Sequence, residues 1–527
     1  MNLIHDNWIS VIRKGGKEKI APWQISEADI TDITAPRPDF KGALFQFLIG
    51  LLQTACPPED TDEWKDWWDE PPEGGELKKQ FEKFSHAFEP DTDGPAFMQD
   101  SDLPDGENKA VAALLIEAPG GKTQKDNLDH FIKRDMVNAV CPHCAVMALF
   151  TLQTNAPSGG VGHRVGLRGG GPLTTLVMPD EDGKEESSLW KKLWLNILPK
   201  EETEYLSGNP KLKKDEDIFP WLAPTRTSEK KSGQDTLPTH AHPLQMYWGM
   251  PRRIRLDFSD TLSGTCDLCG ESGDRLLKQF RTKNYGINYN GPWEHPLSPH
   301  NRSDPKKPPL PMHGQKGGIS YRHWLGLVVN TENSKMQPAM ILHHYYEDKQ
   351  DEITEVRQAR LWAFGYDMDN MKARCWYESL MPVYPVSEKQ RDVIGKQAEK
   401  FIETAEKIAG NTRTAVKKAW FDRPGDAKGD FSFIDKSFWQ NTEAAFYECI
   451  REVIEQADGM EEKTDDIKEK WAKTLFTQSL TLFDQWVLSG SAEEKDMKRV
   501  IESRQELRKW NRVERNKLTG KKKKSEP

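Results

Sequence analysis

No window of this 527-residue sequence approaches the run of about 18 apolar residues that a membrane helix needs. The opening, Met1-Asn2-Leu3-Ile4-His5-Asp6-Asn7-Trp8, has no basic patch followed by an apolar core, so no signal peptide is read there and the expected location is the cytoplasm, with no membrane partner. Positive charge is not in excess either: the formal net charge is −9. That sum neither demands nor forbids a nucleic-acid partner, because binding follows local basic patches rather than the total. Disulfides are not expected, since seven cysteines form an odd set with no secretory signal. No internal repeat at solenoid periods is visible. His-Glu-x-x-His and an obvious nucleophile triad are also absent, and no Gly-Lys-Ser/Thr follows the glycine-rich run at 158–171, so the sequence gives no ground for an enzyme.

What is present is a soluble-type composition, 36% hydrophobic and 30% charged, in a chain long enough for two or three domains. Strand patterns fall at residues 171–177, 252–258, 325–330 and 359–365, with helical patterns at 40–56 and 189–198. The acidic run 59–76 is expected to be a solvated surface segment, 304–318 a Pro/Lys/Gly-rich loop, and His343-His344 part of a strand. After residue 385 the texture changes. Ser387-Glu388-Lys389-Gln390 is a capping box, and Ile394, Ala398, Phe401, Ala405 and Ile408 follow at heptad-like spacing. Further helices are expected over 436–455 and 464–488, and a fourth after a second capping box at Ser491-Ala492-Glu493-Glu494. The expectation is an α+β chain: a large mixed α/β domain over residues 1–380, a C-terminal antiparallel four-helix bundle over 385–515, and a disordered basic tail over 516–527. The bundle lacks Glu-x-x-His pairs, so it is read as structural packing rather than a metal core.

Four of the cysteines make two Cys-x-x-Cys pairs, Cys141/Cys144 and Cys266/Cys269. Two such knuckles offer four thiolates to a tetrahedral ion, although the 121 residues between Cys144 and Cys266 make it a long-range staple. The expected cofactor is structural Zn2+, with His143 as a substitute ligand; a redox pair or unrelated buried thiols are the alternatives. A site with all four positions filled by protein cannot activate water.

Residues 158–171 hold seven glycines, with His163, Arg164 and Arg168 between them. Glycine allows close backbone approach, and arginine supplies phosphate contacts, so this run is either a tight turn or a nucleic-acid contact. The basic residues around Phe131, in 120–135, would suit backbone contact with base stacking, or an ordinary exposed loop. Residues 290–296, Asn-Gly-Pro-Trp-Glu-His-Pro, read as a rigid turn.

Taken together, several blocks resemble the CasA family, the large subunits of type I-E CRISPR Cascade complexes. They are residues 1–9, Pro95-Ala96-Phe97-Met98-Gln99, Ala156-Pro157 with the glycine run, Gly166-Leu167-Arg168-Gly169-Gly170, Pro172-Leu173-Thr174-Thr175, both cysteine pairs, 290–299 and Gly365-Tyr366. The resemblance implies a binding subunit of the surveillance complex in antiviral defence. Guide RNA pairing reads the target, while this subunit reads the protospacer-adjacent motif (PAM) in double-stranded DNA and starts duplex opening. It further implies that Gly159, Gly160, Val161 and Gly162 approach the PAM minor groove. Lys283 or Asn284 stands where the family has a PAM-contacting lysine, and Asn370 or Met371 stands where it has a wedge. By the same resemblance, the loop with Phe131, Lys133 and Arg134 tethers the subunit to the guide RNA 5′ handle and the other Cascade subunits. The helices would stabilise the displaced strand in the R-loop, and a separate helicase-nuclease would be recruited to cut. The rival readings are a zinc-containing nucleic-acid-processing enzyme and a protein-only scaffold.

Overall fold

The computed structural model describes the chain except residues 102, 104, 119–135, 181–185, 205, 230, 305, 315–316, 331–333, 354–358, 370–371, 457–463, 490–495 and 522–527. It divides into two compact units. The first comprises Met1–Lys316 and Ala339–Val383, and the second Gly317–Pro338 and Tyr384–Pro527. Residues 317–338, placed by sequence within the first domain, thus cluster with the C-terminal helices.

The first unit begins with a hairpin, β1 (Ile9–Arg13) and β2 (Gly16–Ile20), with β3 (Ile30–Ile33) on the other side of β1. Helix α1 (Pro38–Ala55) starts at a proline, which belongs in a first helical turn because its missing N–H has no partner there anyway. It is apolar nearly all round and is buried on every side, as that pattern requires. Phe47 on α1 sits at the centre of the core. Trp8, Phe88, Phe97, Phe150 and Trp248 all meet it edge-to-face, with ring centroids 5.4–5.9 Å apart. The acidic run at 59–76 is not simply solvated surface. Its residues form α2 (Thr61–Asp69) and the start of α3 (Gly74–Glu82), and α2 buries Trp64 and Trp68 completely while its carboxylates point out. Charge density concealed an amphipathic helix with two tryptophans on one face.

Four further parts of the first unit position the candidate sites. Strand β4 (Glu107–Ala110) lies at one edge of a sheet. Helix α4 (Pro142–Asn155) carries the first cysteine pair at its start and leads into the glycine run at its end. After β5 (Thr174–Pro179) and α5 (Leu189–Trp194) comes β6 (Arg253–Leu256). The hairpin β7 (Thr261–Thr265) and β8 (Ser272–Leu277) holds the second cysteine pair, and β9 (Gln279–Lys283) follows. Strands order as β4-β9-β6, all antiparallel, with Lys283 opposite Arg253. A third sheet orders as β11-β10-β5, where β10 is Ala359–Asp369 and β11 is Lys372–Val383. His343 and His344 lie on a short helix, Met340–His344, and not on a strand; each faces a carboxylate four residues on, Glu347 and Asp348.

The second unit contains α6 (Glu388–Trp420), α7 (Ser432–Gln456), α8 (Thr464–Leu488) and α9 (Met497–Leu518). The capping box at the start of α6 forms as read: Gln390 N donates to Ser387 Oγ at 3.4 Å and Ser387 N to Gln390 Oε1 at 2.9 Å. Ile394, Ala398, Phe401, Ala405 and Ile408 are all buried. Helix α6 packs on α7, α8 and α9, α7 on α8, and α8 on α9. Helix α9 is capped by Asp496, whose Oδ1 accepts from Arg499 N at 3.1 Å; the Ser491 box lies outside the described residues. Residues 325–330 are not a strand. They include a helical turn at Trp324–Leu327, interrupted at Gly326 with φ +90°, because a short apolar run suits a buried turn as well as a strand.

Candidate metal centre and nucleic-acid interface

The first site is built at a helix start. Cys141 is the N-cap of α4, Pro142 follows in the first turn, and Cys144 N points back to Cys141 Sγ at 3.5 Å. The second pair sits in the β7–β8 turn, closed by Gly270 at φ +77° with its N–H on Cys266 O at 2.9 Å. Backbone contacts lock the two knuckles together. Val140 and Leu277 exchange both N–H···O bonds at 3.0 and 2.8 Å, and the Asp267 carboxylate accepts from Asn138 N at 2.7 Å and Ala139 N at 2.9 Å. Cys141 N donates to Cys266 Sγ at 3.3 Å.

All four sulfurs lie within 4.8 Å of one another, with Cys141 Sγ and Cys269 Sγ 3.8 Å apart. Four thiolates around a zinc ion at about 2.3 Å would stand about 3.8 Å apart, so the cage has the right size and donor set. The thiols also perturb one another. Hydrogen bonds from Cys141 and then Cys144 pull the Cys266 thiol far down, whereas the same contacts with Cys141 and Cys266 push Cys144 up. Such a cage cannot carry several negative charges without a cation, and a divalent ion would resolve that conflict. His143 is not in the cluster; burial holds its imidazole below the usual value. Among the described residues this is the only group of three or more potential ligands that close.

The glycine run leaves the C-terminus of α4 and forms an exposed tip. Gly159, Gly160 and Val161 are exposed, with Val161 at 74%. Gly160 and Gly162 have φ of +103° and +77°, a region side chains disfavour. The tip is clamped from behind by the segment after β9. Asn284 Nδ2 donates to Val161 O at 2.8 Å, and Tyr285 N donates to Gly162 O at 2.8 Å. A Cβ on Gly162 would stand 2.9 Å from Asn284 Cβ, whereas one on Gly159 would meet nothing within 4 Å. The two ends of this contact are thus the run 159–162 and Lys283-Asn284, and the structure brings these site residues together. Lys283 is exposed at the end of β9, one residue before the clamp.

The cations within the run are committed elsewhere. Arg164 donates to Ser228 Oγ at 2.7 Å and Ser228 O at 3.0 Å, and its guanidinium lies over Tyr285. Arg252, which the sequence reading did not single out, holds both Pro157 O and His163 Nδ1. Burial, and then the Arg252 guanidinium, keep the His163 imidazole below its usual pKa. Arg168 is 3% exposed and points into the core, so it is no phosphate ligand. What the tip offers outward is therefore backbone rather than charge.

A model of the CRISPR-associated protein Cse1 family matches residues 2–482. The chain belongs to the Cse1 family. Among solved structures, Thermobifida fusca Cse1 is similar at a TM-score of 0.69 and 18% identity, over 99% of this chain and 98% of that one. Thermus thermophilus CasA (Cse1) gives 0.68 at 17%, over 99% of each chain. A chain of a CRISPR RNA-guided surveillance complex gives 0.65 at 15%, over 97% and 99%. At these identities the likeness is one of fold.

Other expected site residues of this Cse1-family chain lie outside the described residues: Asn370, Met371, Phe131, Lys133 and Arg134. Their flanks are described. β10 and β11 pair up to Asp369 opposite Lys372, and Arg374 holds Asp367 with two hydrogen bonds, at 3.2 and 2.5 Å. Before residue 119, Glu117 pairs with Arg37 at 2.6 Å, and Arg37 also grips Asp39 at 2.9 and 3.0 Å. The 290–296 turn is a turn: Gly291 has φ +96°, and Trp293 Nε1 closes on Asn290 O at 3.1 Å. Of the residues that form the site, Asn284 and Tyr285 carry no motif. Their one local signal is Gly286, whose Cβ would stand 2.1 Å from Pro251 O. No described helix is long and apolar enough to cross a membrane.

Proposed function

We propose that this Cse1-family chain is the large subunit of a type I-E Cascade surveillance complex and reads the PAM of double-stranded DNA. The observation that carries the reading is the exposed, clamped tip of Gly159, Gly160, Val161 and Gly162. The minor groove is narrow, and a glycine backbone enters where side chains would clash. Because Arg164 and Arg168 are occupied inside the protein, the tip acts through its peptide groups, with Lys283 beside it to meet phosphate or base edge. Asn284 positions the tip rather than replacing that lysine.

Opening of the duplex falls to Asn370 or Met371, at the β10–β11 connection, since a wedge need only stack or exclude. The 120–135 segment, with Phe131, Lys133 and Arg134, tethers the chain to the guide RNA 5′ handle and neighbouring subunits. Helices α6 to α9 act as a four-helix bundle in a domain of about residues 385–515; they stabilise the displaced strand, and a helicase-nuclease recruited separately performs the cutting. The chain itself binds and does not catalyse. Cys141, Cys144, Cys266 and Cys269 hold Zn2+, which ties α4 to the β7–β8 hairpin and fixes both ends of the clamp.

The test is PAM-dependent binding by the reconstituted complex carrying Gly159→Val. Position 159 has open space around it, so folding and assembly should persist while PAM-dependent affinity drops at least tenfold. Unchanged binding would favour a scaffold that does not touch DNA.

A further inference from the structure

Arg168, in the core of the first unit, has no counter-charge among the described residues. Its guanidinium donates only to neutral oxygens: Nη1 to Thr174 Oγ1 at 3.0 Å and Ser298 Oγ at 3.2 Å, and Nη2 to Gln46 Oε1. Arg253, buried in the same unit, shows the contrast, since it meets the Asp100 carboxylate at 2.5 Å. A buried cation without an anion is costly, and neutral acceptors offset only part of that cost. Burial pushes Arg168 down to about 9, and no carboxylate acts to raise it.

Arg168 also lines a small cavity with Gln46, Gln153, Tyr247 and His295. The glutamine amides there are already committed. Gln46 Nε2 donates to Gly42 O at 3.1 Å, and Gln153 Nε2 to Met98 O and Arg252 O at 3.0 and 2.9 Å. The Tyr247 hydroxyl is not. Tyr247 is 6% exposed and its oxygen has no hydrogen-bond partner among the described residues. His295 Nδ1 accepts from Leu297 N at 3.1 Å, which leaves its proton on Nε2. One buried cation, one unused O–H donor and no carboxylate thus converge on a cavity with room for a single water-sized species.

We propose that this cavity binds one small inorganic anion of halide size, held between the Arg168 guanidinium and the Tyr247 hydroxyl. The space suits a halide better than phosphate, sulfate or a nucleotide. The site lies at the root of the glycine run, where Gly166 and Gly169 bridge and Arg168 reaches across to α1 and β5. An anion there neutralises the one charge that the root buries, and so stabilises the base on which the exposed tip stands.

Two measurements on the full chain test this. Crystals grown with bromide should show one anomalous peak in contact with Arg168 and Tyr247; a cavity with no anomalous signal overturns the proposal. Thermal unfolding at fixed ionic strength, with gluconate exchanged for chloride, should shift upward with chloride as a ligand of the folded state requires. Tyr247→Phe keeps the ring and removes one hydrogen bond, so it should raise the half-saturating chloride about three- to tenfold. A midpoint indifferent to chloride, or a chloride response identical in Tyr247→Phe, places any anion elsewhere and overturns the assignment.

Discussion

The two units of this molecule are held together by different kinds of contact. In the first, the decisive links join residues far apart in sequence: Cys141 to Cys269, Arg253 to Asp100, Gln46 to Arg168, and Asn284 to Val161. In the second, long helices carry their own instructions, from the Ser387 cap to the Ile394–Ile408 stripe, and the helices meet through side chains at regular spacing. Even its interior polar layer follows helix geometry. Thr412 and Ser479 hydroxyls meet at 2.7 Å, Asn511 Nδ2 donates to Ser479 Oγ at 2.8 Å, and Asn411 Nδ2 to Asn511 Oδ1 at 3.1 Å. The comparison teaches where fragility should lie: the first unit depends on a few long-range staples, the second on many local terms.

The largest effect should come from the cysteine cage. Cys266→Ala, or removal of zinc by a strong chelator, should destabilise the first unit by about 5 kcal/mol or more, because binding energy at a closed site is folding energy. Purified chain should carry about one zinc per molecule by elemental analysis, and the helical far-UV signal of the second unit should survive the treatment largely intact. A joint collapse of both units would break the distinction between them.

Arg253→Ala removes the cation that meets the Asp100 carboxylate, which is 1% exposed, and should cost about 3–5 kcal/mol in denaturant titration, again in the first unit. Asn511→Ala addresses the second unit. It leaves Ser479 and Asn411 short of a partner and should cost about 1–3 kcal/mol, without effect on the first unit's transition. Smallest near neutral pH is the effect of acid. Burial, and then the Arg168 guanidinium, push His300 down to about 4, so the folded state keeps it neutral where the unfolded chain binds a proton. Above about pH 6.5 this group makes no pH dependence. As pH falls from about 6.5 towards 4, stability should drop by roughly 1.4 kcal/mol per pH unit, and His300→Gln should remove that component from the slope of urea midpoints.

The same division explains what could be read from the sequence. The α6 cap and stripe were legible because helical period and capping chemistry are local. The cysteine pairs were legible because four sulfurs at knuckle spacing leave few alternatives. Arg168 was not: an arginine among glycines looks like a phosphate ligand, and only tertiary structure shows it reaching Gln46, 122 positions away. The tryptophans of α2 hid in an acidic run, and residues 325–330 were too short an apolar segment to separate turn from strand. Asn284 was noticed as one of two residues standing where the family has a lysine, yet its clamp on Val161 depends on a backbone oxygen that no motif announces.

The central claim is that the tip at residues 159–162 reads DNA through its backbone while Asn284 holds it in place. A reconstituted surveillance complex, gel-shifted against a randomised-PAM library, compares wild type, Gly159→Val and Asn284→Ala most directly. Both variants should assemble and both should lose PAM discrimination, with the non-specific background unchanged. A PAM profile identical to wild type in both variants would contradict the account.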